Sequence, residues 1–352
     1  MRTNLAGMRR CLFIAQLALF VSSCTVQPAN TPGVATLAQH KAQMRDVLTL
    51  PNVVFLDENA ACSCILVGIA NPSAAIAVQN FASAHGVPAS VVQTTPVRRF
   101  VRHQSLLDNI RPIKGGLQIQ NRDRGTCTMM ATVFHHARAK KGLITNSHCT
   151  KTQNGVDGTE FYQPGGALFG GDFVAREVID PPLTNAIAGC PAARLCRRSD
   201  AAFAEFDQST AGIVGQLARP QHMCGPPACD QAMSSNTDVL TIIGLGGAAA
   251  VGEFRHKIGR TTGWTNGLVT NDCVDINVSN DDGTDSGVTM LCQNIVGGSA
   301  GHGDSGSPIF ELLQNNRVVL AGIMWGGAED GLSFAFSALP DVEAELGAMD
   351  FF

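Results

Sequence analysis

The chain of 352 residues has few charged side chains and only a short hydrophobic run at its start. Charged residues make up 15% of the sequence, and 25 lysines and arginines against 29 aspartates and glutamates leave a formal net charge of -4. Because there is no basic excess, nothing in the composition points to nucleic acid or an anionic membrane surface as a partner. The apolar run from Cys11 to Val21 is much shorter than the ~20 residues that span a bilayer, so this run is not expected to cross a membrane.

Residues 1–24 instead have the pattern of an export signal. Arg9 and Arg10 precede the apolar run, as in a signal peptide. The segment Val21-Ser22-Ser23-Cys24 resembles a bacterial lipobox and predicts lipidation of Cys24, although leucine is commoner at the position of Val21 and a plain signal peptide is the alternative. Either way we expect export to the bacterial cell envelope, as an outer-membrane lipoprotein or in the periplasm, or secretion. Lipid on Cys24 is the only membrane attachment expected.

Composition and local pattern divide the rest of the chain into three parts. Residues 25–39 are rich in proline, alanine and threonine and are predicted to be a tether. Residues 40–110 are predicted to form a small α/β module, and residues 111–352 to be mainly β, because short apolar runs alternate there with glycine, asparagine and aspartate turns. The elements predicted in the module are a strand at Cys64–Ile69, a helix that starts at Asn71-Pro72 and stops at Gly86, and an extended segment at 91–93.

A serine between glycines late in the chain is the candidate nucleophile. In Gly303-Asp304-Ser305-Gly306 the glycines allow a tight exposed turn, on which the amides of Gly303 and Ser305 can point to one spot and hold a developing oxyanion. A serine hydroxyl is nearly inert at neutral pH, so Ser305 requires a base and a carboxylate that orients the base. His148, at the end of an apolar run, and Asp200, in Asp-Ala-Ala-Phe, are the candidates. Three other aspartates lie between His148 and Ser305: Asp157, Asp172 and Asp180.

The order His148, Asp200, Ser305 resembles that of the chymotrypsin-like serine peptidases. The segment Gly259-Arg260-Thr261-Thr262-Gly263 is similar to a stretch in the bacterial branch that includes alpha-lytic endopeptidase and the streptogrisins. The resemblance covers approximately residues 111–339. It implies a mainly β fold of two six-stranded antiparallel barrels with the site in the cleft between them. A C-terminal helix is predicted over Pro340–Met349.

The resemblance implies hydrolysis of peptide bonds through an acyl-enzyme. His148 would take the proton of Ser305 and later donate it to the leaving amine, Asp200 would orient the imidazole, and the Gly303 and Ser305 amides would hold the oxyanion. The substrate would be a polypeptide, no cofactor or metal is required, and a monomer is expected. The alternative is a catalytically silent relative that acts as a surface binding module, although no triad residue is lost. An esterase of the α/β-hydrolase class would need the order Ser, Asp, His, which this chain does not have.

The same alignment places a specificity pocket. Ser299, six residues before Ser305, occupies the position that resembles the pocket base, where tryptic members have aspartate. Without a carboxylate there, cleavage after lysine or arginine is not expected, and a medium apolar or aromatic side chain is favoured unless Glu329 and Asp330 in a following loop reverse this preference. The other positions carried over are Ala300 and His302 near the base, and Met324-Trp325-Gly326, which looks like the Ser-Trp-Gly strand that pairs with the substrate backbone.

The cysteine count favours disulfides. Of 12 cysteines, Cys11 leaves with the signal and Cys24 is the lipid candidate, so ten remain, and an even number in an exported protein argues for bridges. Cys62 and Cys64 remain open between pairing with each other, free thiols and an intermolecular bridge. The histidine-cysteine spacing does not match a structural zinc site. The predicted pairs are Cys127–Cys149, which resembles the family's histidine-loop bridge, Cys190–Cys196, Cys224–Cys229 and Cys273–Cys292.

Two expectations concern activation. Animal-type members begin with an Ile-Val-Gly-Gly whose freed amine inserts beside the aspartate before the nucleophile, here Asp304. The segment Arg111-Pro112-Ile113-Lys114-Gly115-Gly116 departs from that pattern, so amine insertion is not expected. Members of the family often carry pro-regions that assist folding and are then cleaved. Residues 40–110 are therefore either such a pro-region or a permanent accessory module.

Overall fold

The chain forms two compact units, Met1–Val101 and Arg102–Phe352, in a computed structural model. The residues that the structure describes are 35–100, 104–164, 171–224, 231–233, 235, 237–280 and 282–352. The predicted signal peptide 1–24, with Cys24, lies outside the described residues, as does most of the predicted tether 25–39. No helix among the described residues is long and apolar enough to cross a membrane.

The first unit is a small α/β module, as predicted. Its elements are α1 Leu37–Gln43, β1 Val53–Asn59, β2 Cys64–Ile69, α2 Ala74–Ala84 and β3 Val92–Pro96. The sheet has the order β1-β2-β3, with β1 antiparallel and β3 parallel to β2. Parallel neighbours need a crossover connection, which α2 supplies. The apolar side chains of α2 and β2 share one core, in which Val78 and Ala82 pack with Ile65 and Val67.

The helix α2 begins later than predicted. Ser73, and not Asn71, is its N-cap residue, and the Oδ1 atom of Asn71 accepts a hydrogen bond from the Ser73 backbone N–H at 3.0 Å. Asn71 and Pro72 therefore form a turn in front of the helix, because asparagine satisfies a backbone donor two residues on as readily as it caps a helix. The helix ends before Gly86, which has a φ of +72°.

The second unit is almost entirely β. Its predicted C-terminal helix is present as α3 but ends at Leu346, because Gly347 takes a φ of +100° and the chain then returns to a strand. The elements are β4 Gln104–Ser105, β5 Ile113–Gly115, β6 Gln118–Asn121, β7 Gly125–Thr128, β8 Ala131–His135, β9 Lys140–Thr145, β10 Glu160–Gln163, β11 Asp172–Ile179, β12 Leu195–Arg197, β13 Ala202–Phe206, β14 Gly212–Ala218, β15 Met223–Cys224, β16 Ala232–Met233, β17 Val239–Leu245, β18 Phe254–Gly259, β19 Gly263–Ser279, β20 Asp285–Gly297, β21 Pro308–Leu312, β22 Arg317–Gly327, β23 Phe334–Ala338, α3 Leu339–Leu346 and β24 Met349–Asp350.

One large sheet of this unit contains a closed six-stranded antiparallel barrel. The strands pair in the order β18, β19, β20, β23, β22, β21, and β21 pairs again with β18. Val269, Val296, Phe334 and Phe336 from these strands pack in one apolar cluster. The prediction of a six-stranded barrel is confirmed for this half of the unit. The candidate nucleophile lies at its edge, since β21 begins three residues after Ser305.

The other large sheet differs from the predicted second barrel. It has eight strands in the order β24-β8-β9-β13-β11-β10-β6-β7. Within the described part of the chain its end strands, β24 and β7, do not pair with each other, so the pairing does not close into a ring. The physical reason is that β8 uses its outer edge to pair with β24, in the register Met349↔His135. The prediction of two six-stranded barrels is therefore correct for one barrel only.

Candidate active site

Two neighbouring strands of the eight-stranded sheet bring His148 and Asp200 together. The end of β9 pairs with the start of β13, in the register Thr145↔Ala202. His148 follows β9 in the 3₁₀ turn Ser147–Cys149, and Asp200 lies two residues before β13. The Nδ1 atom of His148 is hydrogen-bonded to Oδ2 of Asp200. The Oδ1 atom of the same carboxylate accepts from the backbone N–H of His148 at 3.1 Å, so the aspartate holds both the ring and the backbone of the histidine.

The Asp200 carboxylate is buried and ionised. Its exposed fraction is 2%, and Gln153 Nε2 donates to its Oδ1 atom at 3.3 Å. Burial by itself raises the pKa of Asp200, but His148 and Arg197 outweigh this effect, and the pKa lies below the usual value of an aspartate. The backbone carbonyl of Asp200 is also bound, by Asn146 Nδ2 at 2.6 Å. The acid of the candidate site is therefore fixed on both its side chain and its backbone.

A buried ion pair supports the turn that carries Asp200. Arg197 Nη1 lies 2.8 Å from Oδ1 of Asp180, and both side chains are almost fully buried. Ser147 Oγ donates to the other oxygen of Asp180 at 2.8 Å, and Arg197 Nη2 donates to the Ala201 carbonyl. Glu345 of α3 lies 3.2 Å from the Arg197 guanidinium. Asp180, one of the alternative acids, is thus bound to Arg197 and Ser147 rather than to the histidine.

The Ser305 turn takes the backbone shape that its glycines allow. Gly303 has a φ of +95° and Gly306 a φ of +90°, values that other residues rarely adopt. A Cβ atom on Gly306 would lie 1.9 Å from the carbonyl oxygen of Thr128, so the close approach of this turn to β7 also requires glycine.

The amides of this turn fall into two groups. The N–H of Asp304 donates to the Gly301 carbonyl at 3.0 Å, and the N–H of Gly306 donates to the Met324 carbonyl at 2.9 Å. Among the described residues, the N–H groups of Gly303 and Ser305 have no acceptor in the protein. A half-buried serine with two free amides beside it is an arrangement that can receive a negatively charged oxygen.

The strand β7 lies between the serine turn and the histidine turn. Thr128, its last residue, donates its N–H to the Ser305 carbonyl at 2.8 Å and its hydroxyl to the Gly303 carbonyl at 2.9 Å. The preceding residue, Cys127, is bonded through a disulfide to Cys149, next to His148. The sulfur atoms of this bridge and a ring nitrogen of His148 lie within 4.8 Å of one another. Because both sulfurs are bonded to each other, this group offers no thiolate for a metal ion.

Asp304 is neutralised by Lys257, a residue that the sequence did not single out. Lys257 Nζ lies 3.0 Å from Oδ2 of Asp304, and both side chains are fully buried. Burial by itself raises the pKa of Asp304, but Lys257 and the Thr262 hydroxyl outweigh this effect and lower it below the usual value. The N–H groups of Thr261 and Thr262 donate to Oδ1 at 2.8 and 3.1 Å. The Gly-Arg-Thr-Thr-Gly segment therefore binds the aspartate beside the nucleophile, and an internal ammonium group balances its charge.

We expect Lys257→Met to lower the free energy of unfolding by about 3–5 kcal/mol, because removal of one partner leaves a buried charge without compensation. Urea unfolding monitored by circular dichroism measures this change. The exposed lysine Lys141 provides the matched control, and Lys141→Met should change stability by less than about 0.5 kcal/mol. Equal effects of the two substitutions would mean that the Lys257–Asp304 pair contributes nothing.

Solved structures of bacterial proteases align with two thirds of this chain. Thermobifida fusca Protease A aligns with 68% of this chain and 97% of its own at 18% identity, with a TM-score of 0.44. Cellulomonas bogoriensis chymotrypsin aligns with 68% and 98% at 19% identity, with a TM-score of 0.44, and an alpha-lytic protease homolog, N4, with 68% and 99% at 15% identity, with a TM-score of 0.45. The chain is similar in structure to bacterial chymotrypsin-fold serine proteases. No protein-family model and no curated protein matches it.

The residues predicted for the base of a specificity pocket lie between β20 and β21, in the segment that leads to the serine turn. Ser299 is fully buried, and its Oγ atom has no hydrogen-bond partner among the described residues. Ala300 donates its N–H to the Gly331 carbonyl at 3.2 Å and packs against the same apolar cluster as Met324. His302 is exposed. The position predicted for the pocket base, Ser299, is therefore polar and uncharged.

The strand predicted to pair with substrate joins the serine turn directly. Met324 of β22 donates its N–H to the Ser307 carbonyl at 3.0 Å, and its carbonyl accepts from Gly306. Trp325 is buried, with an exposed fraction of 9%. A Cβ atom built on Gly326 would meet nothing within 4 Å, so this end of the strand faces open space.

Three of the four predicted cysteine pairs have both members among the described residues, and each of these three is a disulfide. Cys62 and Cys64 form a disulfide with each other, which is one of the three alternatives left open. Cys224 is also disulfide-bonded, but its predicted partner Cys229 lies outside the described residues. Bridges of this number are typical of proteins that fold in an oxidising compartment. The other bridges are Cys127–Cys149, Cys190–Cys196 and Cys273–Cys292.

Glu177 and Asp157 form a pair of carboxyl groups at the loop that carries Gln153. Glu177 of β11 is buried, and its Oε2 atom accepts from the backbone N–H groups of Asp157 and Thr159 at 3.3 and 3.1 Å. Burial, together with a hydrogen bond to the Asp157 carboxyl group, raises the pKa of Glu177 to about 7. The loop that contains Asp157 also carries Gln153, which binds Asp200.

This raised pKa predicts that the protein loses stability between about pH 4.5 and 7. In that window the folded state binds a proton that the unfolded state has released, so the free energy of unfolding falls as the pH rises, by about 3 kcal/mol in total. Urea unfolding of the wild type and Glu177→Gln at pH 5 and pH 8 measures the difference. The variant should lose most of this pH dependence, whereas Glu311→Gln, at an exposed glutamate, should keep it.

Proposed function

We propose that the protein is a serine endopeptidase that hydrolyses peptide bonds through an acyl-enzyme. The observation that carries the proposal is the pairing of His148 with a buried, ionised Asp200, joined through β7 to a serine turn with two free amides. His148, Asp200 and Ser305 have the proposed roles of base, orienting acid and nucleophile.

The hydrogen bond to Asp200 selects the form of the imidazole that the reaction needs. The carboxylate accepts a hydrogen bond from Nδ1–H of His148, so the proton stays on Nδ1 and Nε2 carries a lone pair that can take the proton of the Ser305 hydroxyl. The serine oxygen then attacks the substrate carbonyl, and the imidazolium returns its proton to the leaving amine. Water then attacks the resulting ester, with His148 taking a proton from the water and returning it to the Ser305 oxygen as the acyl group leaves.

The amides of Gly303 and Ser305 would hold the oxyanion of each tetrahedral intermediate. A positioned donor of this kind lowers a barrier by about 3 kcal/mol. The donors must keep their direction, and the neighbouring Asp304 controls this direction through its contacts with Lys257 and the amides of Thr261 and Thr262. The Lys257–Asp304 pair is therefore proposed to support the oxyanion site without contacting the substrate.

The polar but uncharged base of the pocket supports a preference for substrates without a cationic side chain. Ser299 offers a hydroxyl group and no carboxylate, so lysine and arginine side chains would lose hydration there without gaining an ion pair. We propose cleavage after a medium apolar or aromatic residue. The substrate backbone would pair with β22 at Met324–Gly326.

The first unit and the export signal have separate proposed roles. Residues 40–110 would act as a pro-region or as a permanent accessory module, and residues 111–352 as the peptidase. Export, with or without lipid on Cys24, would place the protein where its disulfides are stable. The second candidate is a binding module without catalysis. In that case Ser305 would not react with a reagent that labels activated serines.

Labelling with a fluorophosphonate tests the proposed function, because this reagent modifies only serines that a base activates. The wild-type protein is treated at pH 8, digested, and the modified peptide is identified by mass spectrometry. We expect one modified peptide, with the adduct on Ser305, and cleavage of an unfolded protein substrate that the adduct blocks. An unmodified Ser305 in a folded protein would refute the peptidase and favour the binding module.

A further inference from the structure

We infer that Gln293 is a positioning residue that couples the Asp200 turn to the strand of Trp325. The expected kinetic effect rests on the proposed function, whereas the structural coupling rests on the geometry alone. Gln293 lies in β20, is fully buried and touches neither the candidate nucleophile nor the histidine. Its side-chain amide forms hydrogen bonds to both the Asp200 turn and the strand of Trp325. Among the described residues, no other side chain forms a hydrogen bond to both.

The amide of Gln293 uses all of its hydrogen-bonding capacity. Its Nε2 atom donates to the carbonyls of Arg198 and Leu291 at 2.7 and 2.6 Å. Its Oε1 atom accepts from Trp325 Nε1 at 2.8 Å and from the Ser337 hydroxyl at 2.9 Å. A side-chain amide has two donors and two acceptor lone pairs, so no position is left over. The orientation of the group is therefore fully determined by its four partners.

Two of these contacts lead to Asp200. Arg198, whose carbonyl is bound, lies two residues before Asp200 in the turn between β12 and β13. The Ser337 hydroxyl, which donates to Gln293, accepts from the backbone N–H of Asp200 at 3.3 Å. Gln293 thus holds the turn directly at one residue and through one hydroxyl group at another.

The contact with Trp325 leads to the nucleophile. Trp325 follows Met324, whose backbone N–H and carbonyl bind Ser307 and Gly306 of the serine turn. The Trp325 indole packs with Val288 and Met290 in an apolar cluster, where its N–H has no other acceptor among the described residues. A donor left without a partner in such surroundings costs stability, so this contact fixes the ring strongly.

The arrangement gives Gln293 control over the relative position of the acid and of the strand that would bind substrate. A displacement of about 1 Å at a catalytic group can lower a rate by about 100-fold. Loss of the Gln293 amide should therefore impair the chemical step more than the binding of a reagent. A residue needed only for stability would not separate the two in this way.

The test compares Gln293→Met, which keeps the size of the side chain and removes its polar atoms, with Gln163→Met. Gln163 is an equally buried glutamine whose amide donates to the Gln118 carbonyl at 3.1 Å and accepts from Arg111, so it makes no hydrogen bond to the Asp200 turn or to the serine turn among the described residues. For both variants and the wild type, the rate of fluorophosphonate labelling is measured against reagent concentration from pH 5 to pH 9, together with the urea unfolding midpoint.

We expect Gln293→Met to lower the limiting labelling rate by about 10–100-fold with little change in the half-saturating concentration. The acid limb of its pH profile should also move to lower pH, because a less firmly held Asp200 stabilises the imidazolium less. Gln163→Met should lose stability but keep the wild-type profile. Equal kinetics for the two variants at matched loss of stability would overturn the inference.

Tryptophan fluorescence tests the coupling independently of catalysis. The chain has two tryptophans, so Trp264→Phe leaves Trp325 as the single emitter. In this background Gln293→Met should shift the Trp325 emission because the indole N–H loses its acceptor, whereas Gln163→Met should not. An unchanged emission in Gln293→Met refutes the coupling. If Gln293→Met shifts the emission but the wild-type protein does not label, the coupling is intact and the proposed peptidase is refuted instead.

Discussion

Replacing Ser305 by alanine is expected to lower peptide hydrolysis by about 10⁶-fold and to abolish fluorophosphonate labelling, since no other group in the site can form the acyl-enzyme. The substitution removes one oxygen of a half-buried side chain from a turn whose shape depends on Gly303, Gly306 and the Asp304 contacts. The fold and the unfolding midpoint should therefore remain as in the wild type. The measurement is the rate of cleavage of an unfolded protein substrate, with labelling followed by intact mass.

The control for this substitution is Ser209→Ala. Ser209 is exposed and its hydroxyl is bound to Asp207, outside the site. This variant should cleave and label at the wild-type rate. Residual labelling of Ser305→Ala at a new position would show that another serine is activated, and cleavage at the wild-type rate would assign the activity to a different group or to a contaminating protease.

Asp200→Asn is expected to lower hydrolysis by about 10⁴-fold while leaving Ser305 in place. The amide has one acceptor oxygen in place of the two carboxylate oxygens that bind Nδ1 and the backbone N–H of His148, so the imidazole loses the form in which Nε2 is the base. The loss of a buried anion also leaves Arg197 with one counter-charge fewer. The limiting rate of labelling and the urea midpoint separate the two effects.

The chain contains a second histidine-aspartate pair that serves as the matched control. His136 Nε2 lies 2.8 Å from Oδ1 of Asp350 on an exposed surface. Asp350→Asn makes the same chemical change in a pair without a nearby serine, and it should leave hydrolysis within about twofold of the wild type. If Asp200→Asn were as active as this control, the histidine would not depend on Asp200, and the proposed mechanism would be wrong.

The parts of the site that could be predicted from the sequence are those that local residue types determine. A serine between two glycines, a histidine after an apolar run and an aspartate before another run each have a short-range pattern, as do the strand at Cys64–Ile69 and the C-terminal helix. The structure places the His148 and Asp200 segments at paired strand ends and gives the serine turn its two positive-φ glycines. The roles of these residues remain proposals.

The parts that could not be predicted depend on contacts between distant segments. Lys257 appears in the sequence as the last of three consecutive basic residues, Arg255-His256-Lys257, and the pairing of β18 with β21 brings it to Asp304. Gln293 has four partners in four segments, which no periodicity indicates. The eight-stranded sheet likewise depends on the short strand β24. Its pairing with β8 places Met349 opposite His135, which lies 214 residues earlier in the chain.

The brace from α3 gives the site an order of assembly. Glu345 accepts from the Ser199 hydroxyl at 2.7 Å and from the Arg198 N–H at 2.9 Å, so the last helix of the chain holds the turn of Asp200. A polypeptide that emerges from the ribosome or through a translocon releases His148, Asp200 and Ser305 well before Glu345. The acid can therefore reach its final position only after α3 has been synthesised. We therefore expect the proposed peptidase to stay inactive until α3 has folded against the Asp200 turn.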